Sequence, residues 1–209
     1  MNTSKEEMIR LQLEKRGIYN PQVLQAMSEI DRIDFIPDDM KHKAYDDGPL
    51  PIGKGQTISQ PYIVAYMAQH LQLQPHEKVL EIGTGCGYNA AVLSKLAKEI
   101  YSIEIIEWLH KFAVKNLNNS GVKNIHTRNA DGYKGWPENA PFDAIILTAA
   151  PPEVPQTLKE QLKIGGRLLA PVGRRSQELV LITRTGENTY KEKILLLVNF
   201  VPMTGKARK

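Results

Sequence analysis

A chain of 209 residues, 42% hydrophobic and 24% charged, is long enough to bury one α/β core and has none of the bias of a disordered or fibrous protein. Its 27 basic and 23 acidic residues leave a formal charge of +4 that is scattered rather than clustered, which argues against a nucleic-acid surface. No apolar run approaches a membrane span, no signal peptide is evident, and the lone Cys86 excludes an intrachain disulfide, so a single cytoplasmic domain is expected.

Residues 4–16 have the pattern of a charged amphipathic helix, with Met8, Ile9 and Leu13 inward and Gly17 as its stop. Asn20-Pro21, a cap followed by a first-turn proline, opens a second helix carrying Val23, Leu24, Met27 and Ile30. Residues 31–47 are mixed, with Phe35 and Tyr45 as anchors. From Leu50 to Pro61 prolines, glycines and small polar side chains follow neither helical nor strand period, the composition of a shaped loop. Ser59 stands at a cap-like position before a helix that starts near Pro61 and keeps Ile63, Val64, Met67, Ala68 and Leu71 on one face. Its hydroxyl has two readings of equal weight, a helix cap or a ligand-binding or catalytic group.

Residues 1–76 thus form a helical layer and a loop, and residues 77–209 a sheet. The runs 78–82, 100–105, 124–128 and 142–148 are strand-like, with helices predicted at 88–98, 107–119 and 153–163. Alternation of this kind implies right-handed crossovers and a mostly parallel sheet covered by helices on both faces. Gly165-Gly166 is predicted to turn into the run 167–172. The runs 178–185 and 193–201 leave no room for a helix between them and predict an antiparallel hairpin at one sheet edge. The basic end, Lys206-Ala207-Arg208-Lys209, is expected to be a frayed tail.

Chemistry concentrates at the ends of these strands, where open α/β sheets bind their ligands. Glu81-Ile82-Gly83-Thr84-Gly85-Cys86-Gly87-Tyr88 puts three alternating glycines on a strand-to-helix turn, where backbone must turn tightly and lie bare to a ligand. A dinucleotide fingerprint needs a glycine at the position of Tyr88. Glu104 closes the next strand, placed to accept hydrogen bonds from a ribose. Asp131-Gly132 follows the third, with Asp131 either an acceptor for an adenine amino group or a turn former, and Thr148 to Pro152 follow the fourth. Cys86 lacks an activating neighbour, and the histidines at 42, 70, 76, 110 and 126 lack zinc-site spacing. Three alternating glycines after an acid, with a further acid downstream, resemble the S-adenosylmethionine loop of Rossmann-like methyltransferases.

The stretches Leu50–Pro61, Glu81–Tyr88, Asp131–Tyr133, Pro141–Ile146, Thr148–Pro151, Gly165–Leu168 and Phe200–Pro202 together closely resemble the protein-L-isoaspartate O-methyltransferase family, over essentially the whole chain. The stretch Gly55–Pro61 ahead of the glycine loop is the family's most specific piece. The resemblance implies an α/β, Rossmann-like fold, with Ser59 as active-site serine. It implies cofactor contacts from Gln56, Thr57, Ile58, Ser59 and Val64, from the loop with Glu81, Gly83, Gly85, Cys86 and Gly87, and from Glu104, Asp131, Gly132 and Thr204. It further implies methylation of the free carboxylate of L-isoaspartyl and D-aspartyl residues in damaged proteins, repair through a succinimide, no metal, no nucleic acid or membrane, and a monomer. The chain ends soon after Thr204, so contacts from a longer C-terminal segment are not expected. A nicotinamide-dependent oxidoreductase is the alternative enzyme, opposed by Tyr88 and the terminal hairpin, and a non-enzymatic S-adenosylmethionine-binding module is the alternative without catalysis.

Overall fold

The computed structural model describes residues 3–208, and Lys209 of the basic tail lies outside them. The predicted first helix is one continuous rod of three geometries. A short α turn, α1 (Lys5–Glu7), is closed by a reciprocal Ser4/Glu7 capping box, passes into a π turn over Met8–Leu13, and ends in a 3₁₀ turn at Gly17. Asn20 caps α2 (Pro21–Glu29) by accepting from the backbone N–H groups of Gln22 and Val23. Two 3₁₀ turns, Arg32–Phe35 and Asp38–Lys43, organise the mixed stretch that follows.

The predicted loop at 50–61 is in fact a small hairpin. β1 (Leu50–Gly53) pairs antiparallel with β2 (Gln56–Ile58), and Gly53, Lys54 and Gly55 turn the tip with φ of 94°, 54° and 70°. Leu50 and Ile52 do alternate inward, but strands of four and three residues with a proline inside show too little period to be recognised. α3 (Pro61–Leu71) follows, flanked by Gln60 without any side-chain cap. The cap reading of Ser59 is therefore excluded, because the helix starts one residue too late for it.

The sheet is built from β3 (Lys78–Ile82), β4 (Glu99–Glu104), β5 (Ile125–Asn129), β6 (Phe142–Leu147), β7 (Leu162–Val172), β8 (Gln177–Arg184) and β9 (Tyr190–Val198), in spatial order β5-β4-β3-β6-β7-β8-β9. The first five in that order are parallel, and β8 and β9 complete it as the antiparallel edge hairpin that the sequence pattern predicts. Consecutive residues face opposite layers: Val79, Ile100 and Ile146 join the core beneath α2, α3 and α4 (Tyr88–Ser94), whereas Leu80, Ile103 and Ile145 join the core beneath α6 (Gln156–Glu160). α5 (Glu107–Ser120) covers β4 and β5.

Several boundaries differ from prediction: the helix expected over 88–98 ends as α4 at Ser94, and the strand expected over 193–201 is β9, three residues earlier. The helix expected over 153–163 shrinks to α6, because Pro151, Pro152 and Pro155 delay its start and Leu162 already pairs with Phe142. Gly165-Gly166 is not a turn before β7 but an irregularity inside it, where the register slips between Phe142 and Ala144. The strand order reverses between β3 and β6, so the crevice at their carboxyl ends is the expected ligand position.

Candidate active site

A cleft of about 800 Å³, counting its open mouth, opens at that reversal. Its floor is the turn between β3 and α4. Gly83, Gly85 and Gly87 have φ of 100°, 58° and 93°, a region in which side chains are strained. A Cβ at Gly83 would collide with Thr148 Oγ1, which donates to the Gly83 carbonyl at 2.6 Å. Around Gly85 a Cβ would meet only Ile52 of the hairpin, so its backbone is bare on the cleft side.

Glu104 forms the wall. It is 5% exposed, and its two carboxylate oxygens accept from the N–H groups of Gly85 and Ile106, each at 2.9 Å. Burial pushes its carboxyl above the ordinary range, and the backbone donors oppose that shift. Each oxygen keeps acceptor capacity for a donor inside the cleft. Cys86 also lines the cleft, but burial pushes its thiol up to about 11 and leaves it protonated at neutral pH.

The roof comes from two distant segments. Gln56, Thr57, Ile58, Ser59 and Val64 line it from the hairpin and α3, and Val201 to Thr204 from the chain after β9. That last segment is held against Ala150 by backbone bonds, Ala150 donating to Val201 and Met203 donating to Ala150. The described part of the basic tail does not fray: Gly205–Arg208 forms a 3₁₀ turn, and Lys206 N–H donates to Asp131 at 2.9 Å.

Three of the predicted positions fall outside the lining. Asp131 accepts from the Tyr133 and Lys206 N–H groups and so makes the turn that presents Gly132 to the cleft. Gly87 flanks α4 and packs beneath Leu117. Glu81 is fully buried below the glycine turn, accepting from Asn89 Nδ2 at 2.7 Å and from the Ser102 hydroxyl, which lies 2.6 Å from Thr84 Oγ1. Desolvation pushes the Glu81 carboxyl up to about 7. These residues brace the site rather than face it.

A second cleft, about 860 Å³ with its mouth, opens between the hairpin's end and the segment Leu197–Val201. It shares Thr57, Ser59, Thr148 and Val201 with the first. Ser59, whose hydroxyl has no hydrogen-bond partner among the described residues, thus lines both spaces. Val201 and Thr148 fall in stretches that carry the family resemblance, but no local pattern gave either a place in the lining or pointed to the second cleft, which depends on chain closure across the sheet. Among the described residues no lysine or arginine lines either cleft, and no group of three or more His, Cys, Asp or Glu is placed to hold a metal.

Comparison with known proteins agrees with this arrangement. The family model described as Protein-L-isoaspartate(D-aspartate) O-methyltransferase matches residues 3–208. A protein-L-isoaspartate O-methyltransferase of Synechococcus is 48% identical, the match covering 96% of this chain and 85% of the relative. One from Shewanella sediminis is 53% identical, covering 99% and 85%. Among solved structures, a protein-L-isoaspartate O-methyltransferase superposes with a TM-score of 0.88 at 30% identity, covering 98% of this chain and 67% of the other. A Plasmodium falciparum protein of the same description, solved with S-adenosyl-L-homocysteine, gives 0.86 at 25% identity, covering 98% and 99%. The chain belongs to the protein-L-isoaspartate(D-aspartate) O-methyltransferase family.

Proposed function

We propose that this protein transfers a methyl group from S-adenosylmethionine to the free carboxylate of L-isoaspartyl residues, and of D-aspartyl residues, in damaged proteins and peptides. The observation that carries the reading is that Ser59, its hydroxyl without a hydrogen-bond partner among the described residues, lines both clefts. The first cleft fits the cofactor: a bare glycine backbone, a carboxylate with acceptor capacity for ribose hydroxyls, and a largely apolar remainder. When bound, S-adenosylmethionine supplies an electrophilic methyl on a sulfonium.

The residues of the chain have the task of alignment. A carboxylic acid with a pKa near 4 is already ionised at pH 7, so no base is required. A cation against the carboxylate would blunt its nucleophilicity, and among the described residues neither cleft is lined by a lysine or arginine. Thr57 and Ser59 supply neutral hydroxyl donors instead, enough to orient the oxygen without neutralising it. Val201, Met203 and the hairpin roof the reacting centre and limit its water. Most of the acceleration therefore comes from positioning. The ester formed would close to a succinimide in solution and reopen partly as normal aspartate, which amounts to repair.

The reading has the chain act as a monomer in the cytoplasm, on peptides rather than nucleic acid. No helix among the described residues is long and apolar enough to cross a membrane. The test is transfer of labelled methyl to a synthetic isoaspartyl peptide and to its aspartyl twin. Label in the first alone is expected; label in neither would leave a cofactor-binding module.

A further inference from the structure

Arg32 is among the largest fully buried side chains of the described residues, and none of its partners there is an acid. Its Nε donates to the Ala44 carbonyl at 2.8 Å, Nη1 to the Ser59 carbonyl at 2.7 Å and Nη2 to the Gly48 carbonyl at 3.4 Å, while the guanidinium lies over the Tyr88 ring at 5.4 Å. Among the described residues it has no salt bridge. The contrast is Arg167, whose fork is neutralised by Glu77 at 2.6 Å. Burial lowers the Arg32 pKa, yet a guanidinium keeps its proton at neutral pH. A buried cation without a counter-ion is costly, so its retention asks for a reason beyond packing.

The three carbonyls are not a random set. Gly48 precedes β1 and Ser59 follows β2, so one guanidinium ties together the two feet of the hairpin that roofs the cofactor cleft. Tyr88 is the first residue of α4, where the glycine turn ends. Arg32 therefore touches both the segment that carries the acceptor-side hydroxyl and the segment that cradles the methyl donor. A five-donor planar fork can span such a set, and an ammonium cannot.

We propose that Arg32 is a positioning residue for methyl transfer: it fixes Ser59 relative to the glycine turn, and its uncompensated charge favours an anionic acceptor entering the second cleft. The inference rests on the carboxyl methyltransferase reading given above. It acts through the Ser59 backbone, since Arg32 lines neither cleft.

Arg32→Lys keeps the charge and loses the fork, whereas Arg32→Gln loses the charge. With an isoaspartyl peptide as acceptor, the lysine variant should lose about tenfold or more in kcat, the order expected for a sub-ångström misplacement, with peptide KM little changed. The glutamine variant should lose kcat and also raise peptide KM several-fold, with S-adenosylhomocysteine affinity near wild type in both. In a Ser59→Ala background, Arg32→Lys should cost less than about twofold more, because the two residues act as one unit. Additive losses, losses in S-adenosylhomocysteine affinity that match the losses in kcat, wild-type kinetics in both variants, or two variants unable to bind S-adenosylhomocysteine would each overturn the proposal. A wild-type protein that methylates no isoaspartyl peptide would instead overturn the functional reading.

Discussion

The two clefts that meet at Ser59 are built in opposite ways. The cofactor cleft takes its floor and wall from the carboxyl ends of neighbouring parallel strands, a glycine turn, an acid one strand over and a short loop after β5, and only its roof from the hairpin, α3 and the chain after β9. The acceptor cleft is made of side chains from far apart in sequence, Pro49 to Ile63 on one wall and Leu197 to Val201 on the other. A common cofactor is met by a local, repeatable motif, and a particular substrate by a long-range assembly.

Substitutions can break that division or sharpen it. If Ser59 orients the acceptor carboxylate as proposed, Ser59→Ala should lower turnover by about 10²-fold while leaving S-adenosylhomocysteine affinity within about twofold, as steady-state kinetics and calorimetry would read. Equal losses in both quantities would erase the distinction between the clefts. Glu104→Gln should act on the other side alone, weakening the cofactor by roughly 10- to 100-fold through lost charge-assisted hydrogen bonds. A rise confined to peptide KM would contradict its place in the wall.

Gly83→Ala meets both a φ of 100° and the Thr148 hydroxyl, and should destabilise the fold by about 2 kcal/mol or more in urea titrations. Gly55→Ala has positive φ but open space, so it should cost less. Glu81 gives the subtlest effect. Its carboxyl is held at about 7 when folded against an ordinary 4.5, so between those values the unfolded chain has released a proton that the folded chain keeps. Its stabilising contribution is therefore full below pH 4.5, falls as pH rises at up to about 1.4 kcal/mol per unit, and is gone above 7. Glu81→Gln should flatten the stability profile over that window; an unchanged slope would mean that the buried carboxyl is ionised throughout.

The same division explains what the sequence makes legible. The glycine turn, Glu104 and the alternating core of β3 to β6 are local patterns, and they predict the sheet, its edge hairpin and most of the cofactor lining. Glu81 has the right residue type near a strand end but faces inward, to Ser102 and Asn89, a choice set by its neighbours, and Asp131 spends its carboxylate on the backbone of Tyr133 and of the tail. β1 and β2 are too short to show a period, and Arg32 sits in a 3₁₀ turn whose sequence is an unremarkable mix. Ser59 is the instructive case: beside Pro61 it looks like a cap, and only the start of α3 at Pro61, flanked by Gln60, frees its hydroxyl.

The central claim is that one neutral hydroxyl orients an already anionic acceptor across the boundary of the two clefts. A crystal structure with S-adenosylhomocysteine and an isoaspartyl peptide tests it directly. The cofactor should lie against Gly85 and Glu104, with the peptide carboxylate within hydrogen-bond distance of Ser59 Oγ and in line with the cofactor sulfur. A carboxylate held by a lysine or arginine, or seated away from Ser59, would contradict the account.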